Sequence, residues 1–298
     1  MAVKEKIGFV GLGKMGNPMT RRLMEKGYTV TVYDRLEERA KELKAAGALV
    51  ADSVRSMAGA ADVIISMIPD DRAVEAVALG KEGVLENAKK GMVLIDMSTI
   101  SPMASSRVGE EAKKKGVEYL RATVSGSPKF AETGVLTIFV SGPEGVYQKC
   151  QAILGVLGQK LFYVGADEEA RYMKLLINMV VGTTAMVVAE ALTFGEKGGV
   201  DWVKMVDSLG GSVVASPLVG YKVQPLRERK IPPTFTAAQF AKDFNLALAT
   251  GKALSVPMPI TSTVSQFWEM MKATGRGEQD AWSVLFLLEE LAGLKKAG

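Results

Sequence analysis

At 298 residues the chain is too long for one ordinary domain and suits two; 48% hydrophobic and 23% charged residues describe a globular protein with a substantial core. The formal net charge of +4 comes from scattered Lys and Arg paired with acids along helices, as from Glu37 to Lys44 and Glu110 to Lys115, which argues against a nucleic-acid surface. Cys150 is the only cysteine, which excludes intrachain disulfides and points to the cytoplasm. There is no histidine. That removes the His–Asp acid/base pair and, with a single cysteine, argues against a zinc site, so proton transfer falls to Lys, Asp, Glu, Tyr or water.

Lys4 and Lys6 lead straight into the first predicted strand, and no signal segment is expected. Ile7-Gly8-Phe9-Val10 has strand character, Gly11-Leu12-Gly13-Lys14-Met15-Gly16 follows, and Asn17 to Lys26 reads as an amphipathic helix closed by Gly27. Thr29 to Tyr33 alternates as a second strand ending at Asp34. Strand, G-x-G-x-x-G, helix, strand, acid is the context of a dinucleotide-binding fingerprint. Gly11 permits the tight turn, Gly13 clears a path for a pyrophosphate, and Gly16 lets helix and strand pack closely. The helix N-terminus offers unpaired N–H groups and a partial positive charge to phosphates. Asp34, eighteen residues after Gly16, is placed to accept from ribose hydroxyls and to favour NAD over NADP. Arg35 beside it could attract a 2′-phosphate, so NADP stays possible.

Leu36 to Ala46 predicts a charged surface helix ended by Gly47, and Val63 to Ile68 is a continuous apolar run suited to an interior parallel strand. That strand stops at Pro69-Asp70-Asp71, on the side where such sheets bind ligands. Arg72 to Leu79 predicts a short helix and Met92 to Asp96 another buried strand. Ser98 or Ser101 could cap the helix that runs from Pro102 to Lys115. Val117 to Ala122 and Leu136 to Ser141 read as strands flanking Val124-Ser125-Gly126-Ser127-Pro128. The alternation predicts a doubly wound α/β domain over residues 1–165, followed by an all-helical domain over residues 166–298. The join is expected to be one long helix from about Glu168 to Lys197. No stretch approaches the ~20 uncharged apolar residues of a membrane span; Leu175 to Leu192 holds Asn178 and Glu190 and is expected to be a buried helix.

On that helix Lys174 and Asn178 lie four residues apart and share a face, ~6 Å apart along the axis. A lysine beside an apolar wall is partly desolvated, which disfavours its charged form and suits it to proton transfer. Spacing alone equally allows Lys174 to snorkel to the surface.

Gly8 to Met19, the D-x-S-T-x-x-P stretch Asp96 to Pro102, Val124-Ser125-Gly126-Ser127, the K-x-x-x-N of Lys174 and Asn178, and Lys242-Asp243 occur in the order of a known family. The chain resembles the β-hydroxyacid dehydrogenases, which include 3-hydroxyisobutyrate dehydrogenase, tartronate semialdehyde reductase and glyoxylate/succinic semialdehyde reductases. The resemblance runs from about Lys6 to Leu291. It implies hydride transfer between NAD(P) and a small 3-hydroxyacid or semialdehyde, with a C-terminal domain like that of 6-phosphogluconate dehydrogenase.

The resemblance also implies roles. Gly11, Gly13, Lys14, Met15, Gly16, Asp34, Arg35, Met67, Pro69, Thr99 and Lys242 would line the cofactor, with Thr99 near the nicotinamide. Ser125, Gly126 and Ser127 would hold the substrate carboxylate, and Lys174 would be the general acid/base with Asn178 orienting it or the substrate. Ordinary loop capping is the plainer reading of Thr99 and Ser125 when taken alone. No metal is implied, nor any nucleic-acid or membrane partner. The apolar excess of Leu175 to Phe194 and Trp282 to Leu288, with family habit, implies a homodimer or homotetramer. Arg121-Ala122-Thr123 and Ser127 depart from the family pattern; Arg121 either meets an extra anionic group of the substrate or is a surface arginine at a strand end. Two other readings are an imine reductase-like enzyme, against which Lys174 argues, and a non-catalytic nucleotide-binding protein.

Overall fold

The computed structural model describes residues 5–294, so Lys4 lies outside the described residues. The chain divides into two compact units, Met1–Lys174 and Leu175–Gly298.

The first unit begins with β1 (Ile7–Val10), α1 (Gly16–Glu25), β2 (Val30–Tyr33), α2 (Glu38–Ala45), β3 (Leu49–Val50), α3 (Val54–Ala60) and β4 (Val63–Ser66). It continues through α4 (Asp71–Leu79), α5 (Val84–Asn87), β5 (Val93–Asp96), α6 (Pro102–Lys115), β6 (Glu118–Ser125), α7 (Pro128–Thr133), β7 (Leu136–Ser141), α8 (Glu144–Leu157) and β8 (Gly158–Gly165). The strands form one sheet in the order β3-β2-β1-β4-β5-β6-β7-β8, parallel except where β7 runs antiparallel to β6. Both faces of the sheet are covered, which explains the unbroken apolar run in β4. Ile65 packs with Phe9, Met19 and Leu23 on one face, while Ile64 packs with Val74, Val84 and Val108 on the other.

The strand order reverses between β1 and β4, and the Gly11 turn and Met67 meet at that switch point, where doubly wound sheets take ligands. Gly11 is left-handed at φ +94°, and a Cβ there would lie 2.3 Å from the Met67 carbonyl oxygen. A Cβ on Gly16 would lie 1.8 Å from the Gly11 carbonyl oxygen. Neither position admits a side chain.

Strand β6 continues past the predicted Ala122 to Ser125, whose partner across the antiparallel ladder is Thr137. Helix α8 and strand β8 were not legible in the pattern. The polar pair Gln159-Lys160 breaks alternation in β8, as an edge strand with a solvated side permits. Ser101, not Ser98, caps α6, its Oγ accepting from the Ala104 N–H at 3.0 Å.

The second unit holds most of α9 (Glu169–Lys197), then α10 (Trp202–Gly211), α11 (Pro217–Arg227), α12 (Ala237–Ala253), α13 (Pro259–Ala273) and α14 (Val284–Leu291). No strand occurs among its described residues. Its core is aromatic: Phe240 stacks on Trp268 at 5.4 Å and meets Phe244 edge-on at 6.0 Å. Helices α9 and α12 approach closely at Gly182, where a Cβ would sit 2.5 Å from the Phe244 ring. Lys222 and Asp280 form a buried ion pair at 2.9 Å, and Asp280 also accepts from the Thr234 hydroxyl and the Trp282 N–H.

The expectation that α9 is simply buried needs correction. By length and composition α9 could cross a membrane, and less than half of its most apolar stretch is buried. Leu176, Val180, Val187 and Phe194 are exposed. By contrast Trp282, Val284, Leu285 and Leu287 are buried in their own unit.

Arg229 lies over the Trp202 ring at 3.9 Å and donates to two carboxylates, Glu289 at 2.8 Å and Glu196 at 2.6 Å. Burial and the neighbouring Glu196 push the Glu289 carboxyl up to about 7, against the pull of Arg229. A carboxyl raised in the fold contributes stability below its unfolded value of about 4.3 and loses it as pH rises through about 7. We expect the wild-type Tm to fall by about 3 °C relative to Glu289→Gln between about pH 5 and pH 7.5. Parallel Tm profiles for the two proteins would overturn this.

Candidate active site

The glycine turn leads directly into α1. No side chain caps this helix at Met15, and no acid occupies its first turn. A Cβ on Gly13 would meet nothing within 4 Å, in contrast to Gly11 and Gly16. The protein's own packing therefore does not require glycine at Gly13, whereas a diphosphate approaching the helix N-terminus does. Lys14 is exposed and Met15 half-buried beside it. These residues fit a dinucleotide.

Asp34 pins the turn to the end of β2. Its Oδ2 accepts from the Leu12 N–H at 2.7 Å and its Oδ1 from the Leu36 N–H at 2.9 Å, while Arg39 approaches at 3.5 Å. A carboxylate offers about four acceptor positions, so ribose would share this group with the backbone. Arg35 is exposed next to it.

Four residues tie together the loops after β4 and β5. Asp96, at the end of β5, accepts at Oδ1 from the hydroxyls of Ser66 and Ser98, both at 2.6 Å. The Ser98 oxygen in turn accepts from the Ile68 N–H at 2.9 Å, which places the Met67–Pro69 loop beside the loop that carries Thr99. Asp96 Oδ2 receives Arg171 at 2.5 Å. Thr99 is half-buried among these groups.

Ser125 ends β6, and Gly126 follows at φ +140°, where a Cβ would lie 2.8 Å from Leu136 and 3.1 Å from Phe130. Ser127 precedes α7 and its hydroxyl makes no capping bond. The segment Asp167–Arg171, which opens α9, is fastened to this end of the sheet. The Thr123 hydroxyl donates to the Ala170 carbonyl at 2.9 Å, and the Ser141 hydroxyl to the Asp167 carbonyl at 2.6 Å. Arg121 is neither at the surface nor open to a substrate: it is buried, forms an ion pair with Glu168 and lies 4.5 Å over the Tyr119 ring. Both expectations for Arg121 are thereby corrected.

Lys174 follows one turn after Arg171 and is buried at 9% exposure, so it does not snorkel. Asn178, one turn further, donates to Asp243 Oδ2 at 2.5 Å, and Lys242 pairs with Asp243 Oδ1 at 3.1 Å. Asp243 is thus the buried acid that brings Asn178 and Lys242 together. It was legible only as half of a K-D motif, and Arg171 carried no expectation at all. The one available signal was composition: charges within apolar stretches need partners, but not ones that spacing can identify.

The chain is similar to known proteins over nearly its whole length. The family model described as the NAD binding domain of 6-phosphogluconate dehydrogenase matches residues 6–165, and that described as NAD-binding of NADP-dependent 3-hydroxyisobutyrate dehydrogenase matches residues 169–288. The chain is 36% identical over 298 residues to 2-(hydroxymethyl)glutarate dehydrogenase of Eubacterium barkeri, covering 98% of each. It is 33% identical to 2-hydroxy-3-oxopropionate reductase of Escherichia coli, covering 98% of this chain and 100% of the other. The solved structure of Mycobacterium tuberculosis 3-hydroxyisobutyrate dehydrogenase with L-serine superposes with a TM-score of 0.88 at 27% identity, covering 96% of this chain and 99% of that one. An imine reductase from Pseudomonas, at 22% identity and a TM-score of 0.64, shares the fold alone. The chain belongs to the β-hydroxyacid dehydrogenase family and is an NAD(P)-dependent oxidoreductase acting on CH–OH groups.

Proposed function

We propose that the chain oxidises a 2-substituted 3-hydroxypropanoate to its semialdehyde, or runs the reverse reduction, with Lys174 as general acid/base. The observation that carries this reading is Lys174 itself: a buried lysine in a chain without histidine, one turn from an arginine that grips the loop holding Thr99. The substrates named for the three relatives share a carboxylate one carbon away from a hydroxymethyl or formyl group. A substrate of that shape needs anion donors at one end and a proton acceptor at the other.

The nicotinamide supplies hydride acceptance and donation when bound. Gly11, Gly13 and Gly16 with the N-terminus of α1 would hold the dinucleotide's diphosphate, flanked by Lys14 and Met15. Met67, Pro69 and Thr99 would line the nicotinamide part of the cofactor. Ser125, Gly126 and Ser127 offer a hydroxyl and backbone N–H groups to the substrate carboxylate. In oxidation the neutral Lys174 amine takes the hydroxyl proton; in reduction the Lys174 ammonium returns it to the carbonyl oxygen. Asn178 would orient Lys174 or the substrate and Lys242 would be a cofactor-binding residue; Asp243 steadies both. A cytoplasmic site of action fits the single buried cysteine.

Replacing Lys174 by Ala is expected to lower kcat with 3-hydroxyisobutyrate by about 10²–10⁴-fold while NADH still binds, read by quenching of tryptophan fluorescence. Turnover within tenfold of wild type sinks the assignment. For the cofactor we propose NAD, because the Asp34 charge repels a 2′-phosphate. Asp34→Asn removes the charge and keeps an acceptor oxygen for one of the Leu12 and Leu36 amides; it should raise the NADP-to-NAD ratio of kcat/KM about tenfold, equivalent to about 1.4 kcal/mol. A wild-type enzyme that already prefers NADP contradicts this. The exposed apolar face of α9 supports a homodimer or homotetramer; light scattering that returns the 31.9 kDa monomer mass at micromolar concentration rules that out.

A further inference from the structure

Arg171 is buried at 1% exposure, and its guanidinium makes four hydrogen bonds within the first unit. Nε donates to Ser105 Oγ on α6 at 3.0 Å, and Nη1 to the Ser98 carbonyl at 2.7 Å. Nη2 donates to Asp96 Oδ2 at 2.5 Å and to the Tyr119 hydroxyl on β6 at 3.0 Å. Burial by itself disfavours the charge, but Tyr119, Asp96 and Glu168 outweigh it and raise the arginine's hold on its proton. The same burial pushes the Tyr119 phenol up to about 12, so this hydroxyl stays neutral and accepts from the guanidinium.

The choice of partners is informative. The Ser98 carbonyl belongs to the peptide whose N–H is that of Thr99, and because a peptide is planar, fixing the carbonyl fixes the entry to Thr99. Asp96 and Ser98 extend the grip to Ile68 and so to the Met67–Pro69 loop. On the helix side, Lys174 lies three residues after Arg171, ~4.5 Å along the axis and on a neighbouring face. Arg121–Glu168, Thr123–Ala170 and Ser141–Asp167 seat the segment Asp167–Arg171 on β6 and β7, yet Arg171 alone among these anchors reaches the loop of Thr99.

We propose that Arg171 is a positioning residue for the hydride-transfer reaction: its bonds to the Ser98 carbonyl and Asp96 hold the Thr99 loop in register with the turn of α9 that carries Lys174. This inference rests on the reading of Lys174 as the general acid/base. Displacing reacting groups by ~1 Å can cost ~10²-fold in rate, so the brace acts on kcat and not on cofactor affinity. A lysine at this position keeps the charge beside Asp96, but its single ammonium cannot span Ser98, Ser105, Asp96 and Tyr119 at once.

The test compares wild type with Arg171→Lys and with the charge-neutral double variant Arg171→Met/Asp96→Asn, which leaves no unpaired buried ion. With 3-hydroxyisobutyrate and NAD, both variants should lose about 30- to 100-fold in kcat. NADH affinity should stay within threefold, and the primary deuterium isotope effect on kcat should rise as hydride transfer slows. Full kcat and an unchanged isotope effect in Arg171→Lys overturn the proposal, as does a loss confined to Tm and NADH affinity. Hydrogen exchange on the NADH complexes gives a readout that needs no turnover. Residues 97–101 and 171–176 should lose protection together in both variants while residues 11–16 keep theirs. Loss in only one of the two segments also overturns the brace. A wild type that turns over no 3-hydroxyacid, with the exchange coupling intact, defeats the proposed reaction and leaves the brace standing.

Discussion

The ion pair between Asp96 and Arg171 is the constraint on which the first unit's ligand-binding edge depends. Both side chains are out of water, and a buried pair gains little net stability over apolar residues of the same volume. Removing one partner is another matter, since it strands a charge at a cost of about 3–5 kcal/mol. Such a pair tolerates one geometry and penalises the rest. Here that geometry joins the ends of β4 and β5, the starts of α6 and β6 and the first turn of α9.

The edge of the sheet uses two kinds of constraint. At Gly11 and Gly16 the constraint is steric: backbone atoms approach so closely that no side chain fits. At Asp34, Ser98 and Asp96 the constraint is polar, and each acceptor is filled by donors from a different element. Steric constraints fix the path of the backbone. Polar ones fix direction as well as distance. The second unit repeats the polar device at Asp243, which gathers Asn178 and Lys242, and at Asp280, which receives Lys222.

Local pattern foretold most of the fold. Apolar runs of strand length, glycine punctuation and helical spacing placed β1, β2, β4, β5 and β7 to within a residue or two, with α9 as the long helix. The edge strand β8 escaped because half of it faces solvent and its alternation is broken. Arg121 was misjudged because a charged residue inside a strand ordinarily faces water. Its concealment under Glu168 and over Tyr119 depends on a partner 47 positions away. The exposed face of α9 was misjudged for the complementary reason, since composition reports how apolar a helix is but not which side is covered.

By itself the sequence determined the doubly wound sheet, the all-helical second unit, the dinucleotide turn and the residue types that can move a proton. These follow from short-range spacing, from the steric needs of glycine and from the absence of histidine. Only the tertiary structure decided that Asp34 is shared with two backbone amides, that Ser101 and not Ser98 caps α6, that Asp243 joins Asn178 to Lys242, and that Arg171 grips the Thr99 loop. Each of these joins groups far apart along the chain. Hydrogen bonds between buried polar groups are settled by which elements the hydrophobic core brings together, and no local spacing encodes that.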